Sequence, residues 1–232
     1  MRQSASNGAR WLMGYEAPFL DPGILWAVHD INQKFCQSEK ISSWAKSRFD
    51  QEFSAKPILK EYRRLIDETY TDYRPDPALL EQQGEMYDDM LLPSLYCDWF
   101  PLAAESEREL LSPKNLSGYD ATHQLLTTYF LFEKNGCVSK EKVTPTREKL
   151  VSTLLEEEKN GKVGDLYAER MVLLYLAGEG KHVRRSWLKR LVNAQKQSGV
   201  WPSGLLLGRS EDPHATALAV WALSEATRSC PF

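Results

Sequence analysis

Apolar residues along the chain follow a helical pattern, and no segment alternates convincingly as a half-buried strand would. The segments 125–132, 170–177 and 217–223 are almost continuously apolar. A helix that is apolar on most of its faces is buried on most of them. The segments that begin at Thr144 and His182 instead keep one polar side. The pattern predicts an all-α fold in which buried and half-exposed helices alternate.

This alternation has a regular period. The aspartates that open the buried segments, Asp120, Asp165 and Asp212, are separated by 45 and 47 residues, and the blocks that they begin are "DATHQLLTTYFLFE", "DLYAERMVLLYLAG" and "DPHATALAVWALSE". A period of this size is typical of stacked helix pairs that cannot bury their apolar faces alone. We therefore predict helical hairpin repeats over residues 118–232.

The N-terminal part, residues 1–100, repeats less regularly. Residues 21–35 resemble a buried helix of the repeat, and residues 41–53 resemble a half-exposed one. Two further helices are predicted over 57–73 and 81–100, and Pro93 is expected to bend or end the second. The loop 101–118 is predicted to be the weakest joint of a single all-α domain that spans 1–232.

One segment resembles a known repeat. "WLKRLVNAQKQSGVW" is similar to the Q-x-x-(D/S)-G-x-W repeat of the terpenoid cyclases, such as squalene-hopene cyclase, and of protein prenyltransferase β subunits. In that superfamily the Gln hydrogen-bonds the turn and the Trp stacks on the next helix, roles that Gln195, Gly199 and Trp201 match. The resemblance is clearest over 187–225, and it implies helix pairs arranged as an α/α toroid. The chain is short for six pairs, so a partial or small toroid is expected.

The catalytic motifs of that superfamily are not retained. The cyclases use a D-x-D-D acid motif, whereas "YDDM" from Tyr87 is only a pair of acids on a helix. Prenyltransferase β subunits bind zinc through an Asp, a Cys and a His in a D-x-x-H-T pattern. Asp120 and His123 match its first part, but the Thr after the His and the Asp-x-Cys companion are missing. The resemblance therefore covers the scaffold, and we predict no metal and no cofactor.

Four aspartates precede helices that are predicted to be buried: Asp21, Asp120, Asp165 and Asp212. Asp is a favoured helix cap, because its carboxylate accepts hydrogen bonds from the N–H groups of the first turn. A proline at the first helical position, as in Asp212-Pro213, fits the same role. In a toroid the N-terminal ends of the inner helices also meet at one rim, so a capping aspartate can belong to a site.

Other side chains with useful chemistry accompany these aspartates. His123 and His214 follow their aspartates by three and two residues, and an imidazole can serve as a general acid or base near neutral pH. Candidate catalytic residues are Asp120, His123, Glu169, Asp212 and His214. Candidate ligand contacts are His29, Arg170 and Trp201, the last because indole offers a flat apolar face.

Three functions fit this pattern. The first is a ligand-binding toroid protein whose concave face holds a small molecule, a glycan or a peptide. The second is an enzyme, either a hydrolase, a lyase or a diverged cyclase, that uses the Asp, His and Glu side chains of the rim. The third is a scaffold that binds another protein along its outer helices.

Net charge and composition limit the classes of partner that we expect, but they do not determine the cellular compartment. The net charge is −3, which gives no reason to expect nucleic acid as a partner. No apolar run is long enough for a transmembrane helix, and the first residues lack the apolar stretch of a signal peptide. The protein is expected in the cytoplasm or as a mature exported form. The widely spaced Cys36, Cys97, Cys137 and Cys230 fit buried free thiols or, in an exported protein, disulfides.

Overall fold

A computed structural model describes residues 1–72, 87–112, 115–203 and 212–232. These residues form ten α-helices and no strand, which confirms the all-α prediction. The helices are α1 (Arg2–Met13), α2 (Gly23–Ile31), α3 (Glu39–Phe53), α4 (Asp88–Leu95), α5 (Ala104–Leu110), α6 (Gly118–Tyr129), α7 (Lys140–Asn160), α8 (Asp165–Leu176), α9 (Arg185–Asn193) and α10 (Pro213–Thr227). A π-helical turn follows α2 (Asn32–Cys36) and another follows α6 (Phe130–Lys134), and 3₁₀ turns form at Leu59–Leu65 and Gly180–His182.

Two compact units make up the chain. The first unit joins residues 1–70 to residues 161–232, and the second unit comprises residues 71–160. The expectation of one domain over 1–232 stays a prediction, and each unit is described by itself below.

Helix α10 is the centre of the first unit. Every residue from Ala215 to Ser224 is buried, as its continuous apolar sequence predicts. It packs against α1, α2 and α8. The indoles of Trp26 on α2 and Trp221 on α10 meet edge to face, with 4.8 Å between ring centroids. The short, apolar α10 is therefore buried on most of its faces.

Helices α2 and α10 run parallel, because they contact each other at both ends in the same order. Near their starts, His214 of α10 reaches Asp21, two residues before α2. Near the end of α2 and beyond the middle of α10, the Trp221 indole N–H donates to Asp30 at 2.9 Å. Helix α8 runs the same way, since its first residue meets His214 and its Tyr175 lies near the end of α10. Burial, assisted by the nearby Glu225 carboxylate, raises the pKa of that tyrosine to about 12.

The turn after α9 contains the hydrogen bond that the repeat resemblance implies for Gln195. The Gln195 side-chain amide donates to the Gly199 carbonyl at 2.8 Å and to the Ser4 carbonyl of α1 at 2.9 Å. Gly199 has a φ of 97°, and a Cβ there would lie 2.8 Å from the Asn7 carbonyl oxygen. Only glycine fits this left-handed position and the close approach of α1. The turn leads directly to Trp201, which enters the core.

In the second unit, α6 packs against α4 and α7. A small apolar core includes Cys97, Leu131 and Val143. Helix α4 carries Pro93 and ends two residues later, at Leu95, close to the predicted stop. Helix α5 lies inside the segment 101–118, which had been predicted as a loop. That prediction was wrong because α5 is only seven residues long, too short for a clear periodic signal.

Two other N-terminal segments differ from expectation. Residues 57–73 were predicted as a helix, but the described part forms only the 3₁₀ turn Leu59–Leu65. Helix α1 was not predicted at all, since its composition is largely polar and its buried side is made mostly of small residues such as Ala5, Gly8 and Ala9. Part of the predicted helix 81–100 lies outside the described residues.

All four cysteines form disulfides. Cys36 is bonded to Cys230 within the first unit, and Cys97 is bonded to Cys137 within the second. The interpretation as buried free thiols is therefore wrong. The parallel course of α2 and α10 brings the residues after the two helices together, although 194 residues separate them in sequence. The spacing of the cysteines along the sequence could not predict this disulfide, because only the tertiary structure brings the two residues together.

Candidate functional site at the N-terminal ends of three helices

Asp212 begins α10 as the cap that the sequence predicts. Its carboxylate accepts hydrogen bonds from the backbone N–H groups of His214 at 2.9 Å and Ala215 at 3.2 Å. Pro213 occupies the first helical position. The carboxylate satisfies N–H groups that have no partner within the helix. Asp212 therefore sets the start of the helix and the direction from which the His214 side chain leaves it.

The His214 imidazole lies between two carboxylates. Its Nδ1 is 2.6 Å from Oδ1 of Asp165, and its Nε2 is 3.0 Å from Oδ2 of Asp21. Asp165 is the first residue of α8, and Asp21 lies just before α2. The starts of three parallel helices thus meet at one imidazole. We call the cluster of Asp21, Asp165 and His214 the rim triad.

The two carboxylates of the rim triad have different environments. The Asp165 side chain is 7% exposed, and its backbone N–H donates to the Ser203 carbonyl at 2.8 Å. The Asp21 side chain is 46% exposed, and its Oδ1 accepts from the Gly23 N–H at 2.6 Å. His214 keeps 30% exposure. The triad therefore runs from a buried acid, through an imidazole, to an acid that water can reach.

These contacts favour a protonated imidazole. Burial alone would lower the pKa of His214, but the carboxylates of Asp165 and Asp21, with their hydrogen bonds, outweigh it and raise the pKa well above the ordinary 6.5. A proton on each ring nitrogen lets His214 donate to both carboxylates at once. The two carboxylates therefore stabilise the imidazolium form of His214.

We expect this shift to make the stability of the protein depend on pH. The pKa of His214 is higher in the folded state than its unfolded value of about 6.5, so its stabilising contribution is complete below that pH. The contribution is lost as the pH rises through the folded-state pKa. Titration by NMR should give a midpoint for His214 well above 6.5, and the free energy of unfolding should fall over the same alkaline range.

Asp165→Asn provides the comparison for this titration. It keeps the shape of the side chain and removes one of the two negative charges, so the His214 midpoint should move down. A His214 midpoint at or below the ordinary value of about 6.5 in the wild-type protein would contradict the geometry described above.

The other candidates of the first unit lie further along their helices or in the core. His29 lies in the second half of α2, about 9 Å along the helix axis from its start. Glu169 and Arg170 are buried on α8, one turn after Asp165. Trp201 is 1% exposed, and its indole N–H donates to the Leu191 carbonyl at 2.7 Å. The structure places Trp201 in the core and not on a surface open to a ligand.

Asp120 and His123 belong to the second unit, where they form a separate cluster with Tyr87. The Tyr87 hydroxyl donates to the Asp120 carboxylate at 2.8 Å, and the Asn115 amide donates to it at 2.7 Å. The His123 ring stacks on Tyr87 with 4.0 Å between centroids, and its Nδ1 lies 2.9 Å from the Tyr119 carbonyl oxygen.

Asp120 does not occupy the predicted cap position. Helix α6 has Ser117 at that position, and Asp120 lies in its first turn. Asp165 likewise binds the His214 side chain as the first residue of α8, and Gly164 precedes it at the cap. Thus Asp212 acts as the predicted cap. Asp21 does so in part, because its carboxylate accepts a hydrogen bond from the Gly23 N–H of α2. Sequence reasoning identified Asp21 and Asp165 as caps that could also belong to a site, but it did not include them among the candidate catalytic residues or pair them with His214. Asp21 and Asp165 align with Asp212 at the starts of buried helices, and this alignment could have indicated that they lie close to His214.

The described residues contain no group of three or more His, Cys, Asp or Glu side chains arranged to hold a metal ion. Within the same residues, no helix is both long and apolar enough to cross a membrane. The segment 198–212, between α9 and α10, is described only at its two ends, and residues 204–211 of it lie outside the described residues. Comparison of the chain with protein-family models, with curated proteins and with solved structures finds no match.

Proposed function

We propose that this protein is an enzyme of the α/α-toroid type that uses the rim triad for general acid–base catalysis, as a hydrolase or a lyase. The single observation that carries the proposal is the position of the His214 imidazole between a buried and an exposed carboxylate. The substrate would bind where the starts of α2, α8 and α10 meet. Asp21, at the exposed end of the triad, would be the first of the three groups that it encounters.

The toroid part of the proposal is supported by three features of the first unit. The buried helices α2, α8 and α10 are parallel, as the inner helices of such a ring are expected to be. A half-exposed helix follows the first two of them, α3 after α2 and α9 after α8. The Gln195 to Trp201 turn has the hydrogen bond that the resemblance implies. A partial ring of helix pairs is the arrangement that accounts for all three.

The chemical part of the proposal depends on how the imidazole is held. A carboxylate at Nδ1 orients a histidine ring and stabilises its protonated form, as in catalytic triads. Asp165, being buried, can do this without competition from water. The Nε2 proton would then be the one available to a substrate, directly or with Asp21 as the relay. Because the pKa of His214 is raised, the resting group is an acid that can protonate a leaving group.

A test of this function compares His214→Gln with the wild-type protein. Both are assayed against a panel of polysaccharides, glycosides and esters, with detection of new reducing ends, unsaturated products and released acids. Removing a general acid is expected to lower kcat by about 10²- to 10⁴-fold. The wild-type rate should fall as the pH rises through the raised pKa of His214, because an acid must be protonated to act.

His182→Gln is the matched control, since His182 is an exposed histidine in a 3₁₀ turn outside the triad. It should keep the full rate. A substrate that His214→Gln turns over as fast as the wild type would exclude catalysis by the triad. If wild type and variant bind a compound equally and neither changes it, the non-catalytic ligand-binding function is favoured. The third function, a protein scaffold, would depend on neither His214 nor His182.

The disulfides support a further part of the proposal, namely that the protein works in an oxidising compartment. Both pairs use all four cysteines, and such bonds persist mainly in exported proteins. Of the two locations that the sequence left open, this favours the exported one. A thiol assay on denatured, unreduced protein isolated from its native source should find no free thiol, whereas about four per chain would place it in a reducing compartment.

A further inference from the structure

The second unit contains a cavity of about 360 Å³ that the proposed function does not use. One wall is formed by four residues between α4 and α5, namely Cys97, Asp98, Pro101 and Leu102, together with Glu107 of α5. The other wall is formed by residues 135–137, which follow α6 and its π-helical turn. The Cys97–Cys137 disulfide joins the two walls. A covalent bond between the walls makes the cavity a preformed feature. Its volume falls within the range of small-molecule sites.

The polar groups of this cavity are hydrogen-bond acceptors. Asp98 and Glu107 contribute carboxylates to its lining. The Asn135 amide nitrogen donates to the Ser94 and Leu95 carbonyls, both at 3.0 Å, so its Oδ1 is the atom that it offers to a ligand. None of the described residues that line the cavity is a lysine or an arginine. The lining therefore suits a ligand that brings donors and positive charge.

A lysine next to the cavity already shows how a cation is held there. Lys142 of α7 donates to Oε1 of Glu107 at 2.6 Å, although its own side chain is 58% exposed. An exposed ion pair of this kind is weak, because water competes for both partners. A ligand ammonium or guanidinium group could displace Lys142 at small cost. Leu102 and the disulfide supply apolar surface for a short alkyl chain.

From these contacts we infer that the cavity is a binding site for a small organic cation that carries amino or guanidinium groups on a short alkyl chain. Glu107 binds a charged group, and the Asn135 carbonyl oxygen accepts a further hydrogen bond. Lys142 acts as an internal competitor for Glu107. This site is independent of the rim triad and does not rest on the proposed function.

Calorimetric titration of the full-length, oxidised protein with agmatine tests the inference. Saturable binding of agmatine is expected, with no binding of propionamide or propionate, which lack the positive charge. Glu107→Gln should weaken agmatine binding by about tenfold or more, because the variant keeps an acceptor oxygen but loses the negative charge that strengthens its hydrogen bond to a cation. Lys142→Gln should strengthen it several-fold, since the competing cation is removed. Glu148→Gln, an exposed carboxylate of α7 that does not line the cavity, should leave it unchanged.

Glu107→Gln and Lys142→Gln are expected to change the agmatine affinity in opposite directions, and this distinguishes the proposed site from non-specific attraction. Non-specific attraction to an acidic protein would weaken equally in Glu107→Gln and Glu148→Gln, and that outcome would overturn the inference. Absence of saturable agmatine binding below about 10 mM would overturn it as well. Circular dichroism of each variant checks that the fold is kept. If Glu107→Gln loses structure, Lys142→Gln alone decides, because it must still bind agmatine more tightly than the wild type.

Discussion

Replacing Cys36 and Cys230 by serine should lower the free energy of unfolding by about 5 kcal/mol, because this disulfide closes a very long loop. The two cysteines are 194 residues apart in sequence. A crosslink of that span removes much of the conformational freedom of the unfolded chain. It also holds the end of the chain against the π-helical turn that follows α2, next to the core helix α10. Urea unfolding of both proteins under oxidising conditions measures the difference.

The second disulfide is the matched control. Cys97 and Cys137 are separated by 40 residues, so the same reasoning gives about 4 kcal/mol for their replacement by serine. The double variant of the first pair should therefore be the less stable of the two. A loss below about 2 kcal/mol for Cys36→Ser with Cys230→Ser would mean that the crosslink does not constrain the unfolded chain in this way.

Trp201→Ala should cost about 3 to 5 kcal/mol of stability, the usual range for removing a large buried aromatic side chain. The Trp201 ring fills the space beside α1, where a Cβ on Gly8 would come within 2.7 Å of it. Its indole N–H satisfies the Leu191 carbonyl of α9, and its backbone N–H donates to the Thr216 hydroxyl of α10. Truncation would leave a cavity where three helices meet. Thermal and urea unfolding measure the effect.

Two further variants separate the causes of this loss. Trp201→Phe keeps most of the ring volume and removes the indole donor, so it should cost only about 0.5 to 1.5 kcal/mol for one lost hydrogen bond, because the Leu191 carbonyl still accepts from the Ala194 N–H. Trp44→Ala removes an indole that is only half-buried on α3, and its cost should be clearly smaller. If Trp201→Ala were no more destabilising than Trp44→Ala, the side chain would lie on the surface. The earlier expectation that it contacts a ligand would then regain support.

The helical character of residues 118–232 was predictable because its signals are local. Helix α10 is apolar along nearly its whole length, and that pattern alone requires burial. The hydrogen bond from Gln195 to the Gly199 carbonyl was expected from the resemblance of this segment to the Q-x-x-(D/S)-G-x-W repeat. The weaker signals belong to short or polar elements. Helix α5 has seven residues, and α1 buries mainly small ones, so neither shows a clear apolar period.

The candidate site was predictable only in part. His214 could be singled out, because capping by Asp212 and Pro213 explains the start of the helix without it. Its partners could not be named, because the same aspartates are also good helix starters and a sequence does not distinguish the two roles. Asp165 became a buried partner of His214 and Asp21 an exposed one through the packing of α2 and α8 on α10.

The sequence by itself determined that the described chain is helical, that α10 is buried, and that Asp212 begins it. These properties follow from the spacing of apolar residues and from capping chemistry, which act over one or two turns. Tertiary structure alone decided which cysteines pair, which unit each candidate residue belongs to, and which acids hold His214. Those outcomes depend on contacts across 49 residues for Asp165 and 194 residues for the longer disulfide. Contacts of that range are made by helix packing, and no local pattern records them.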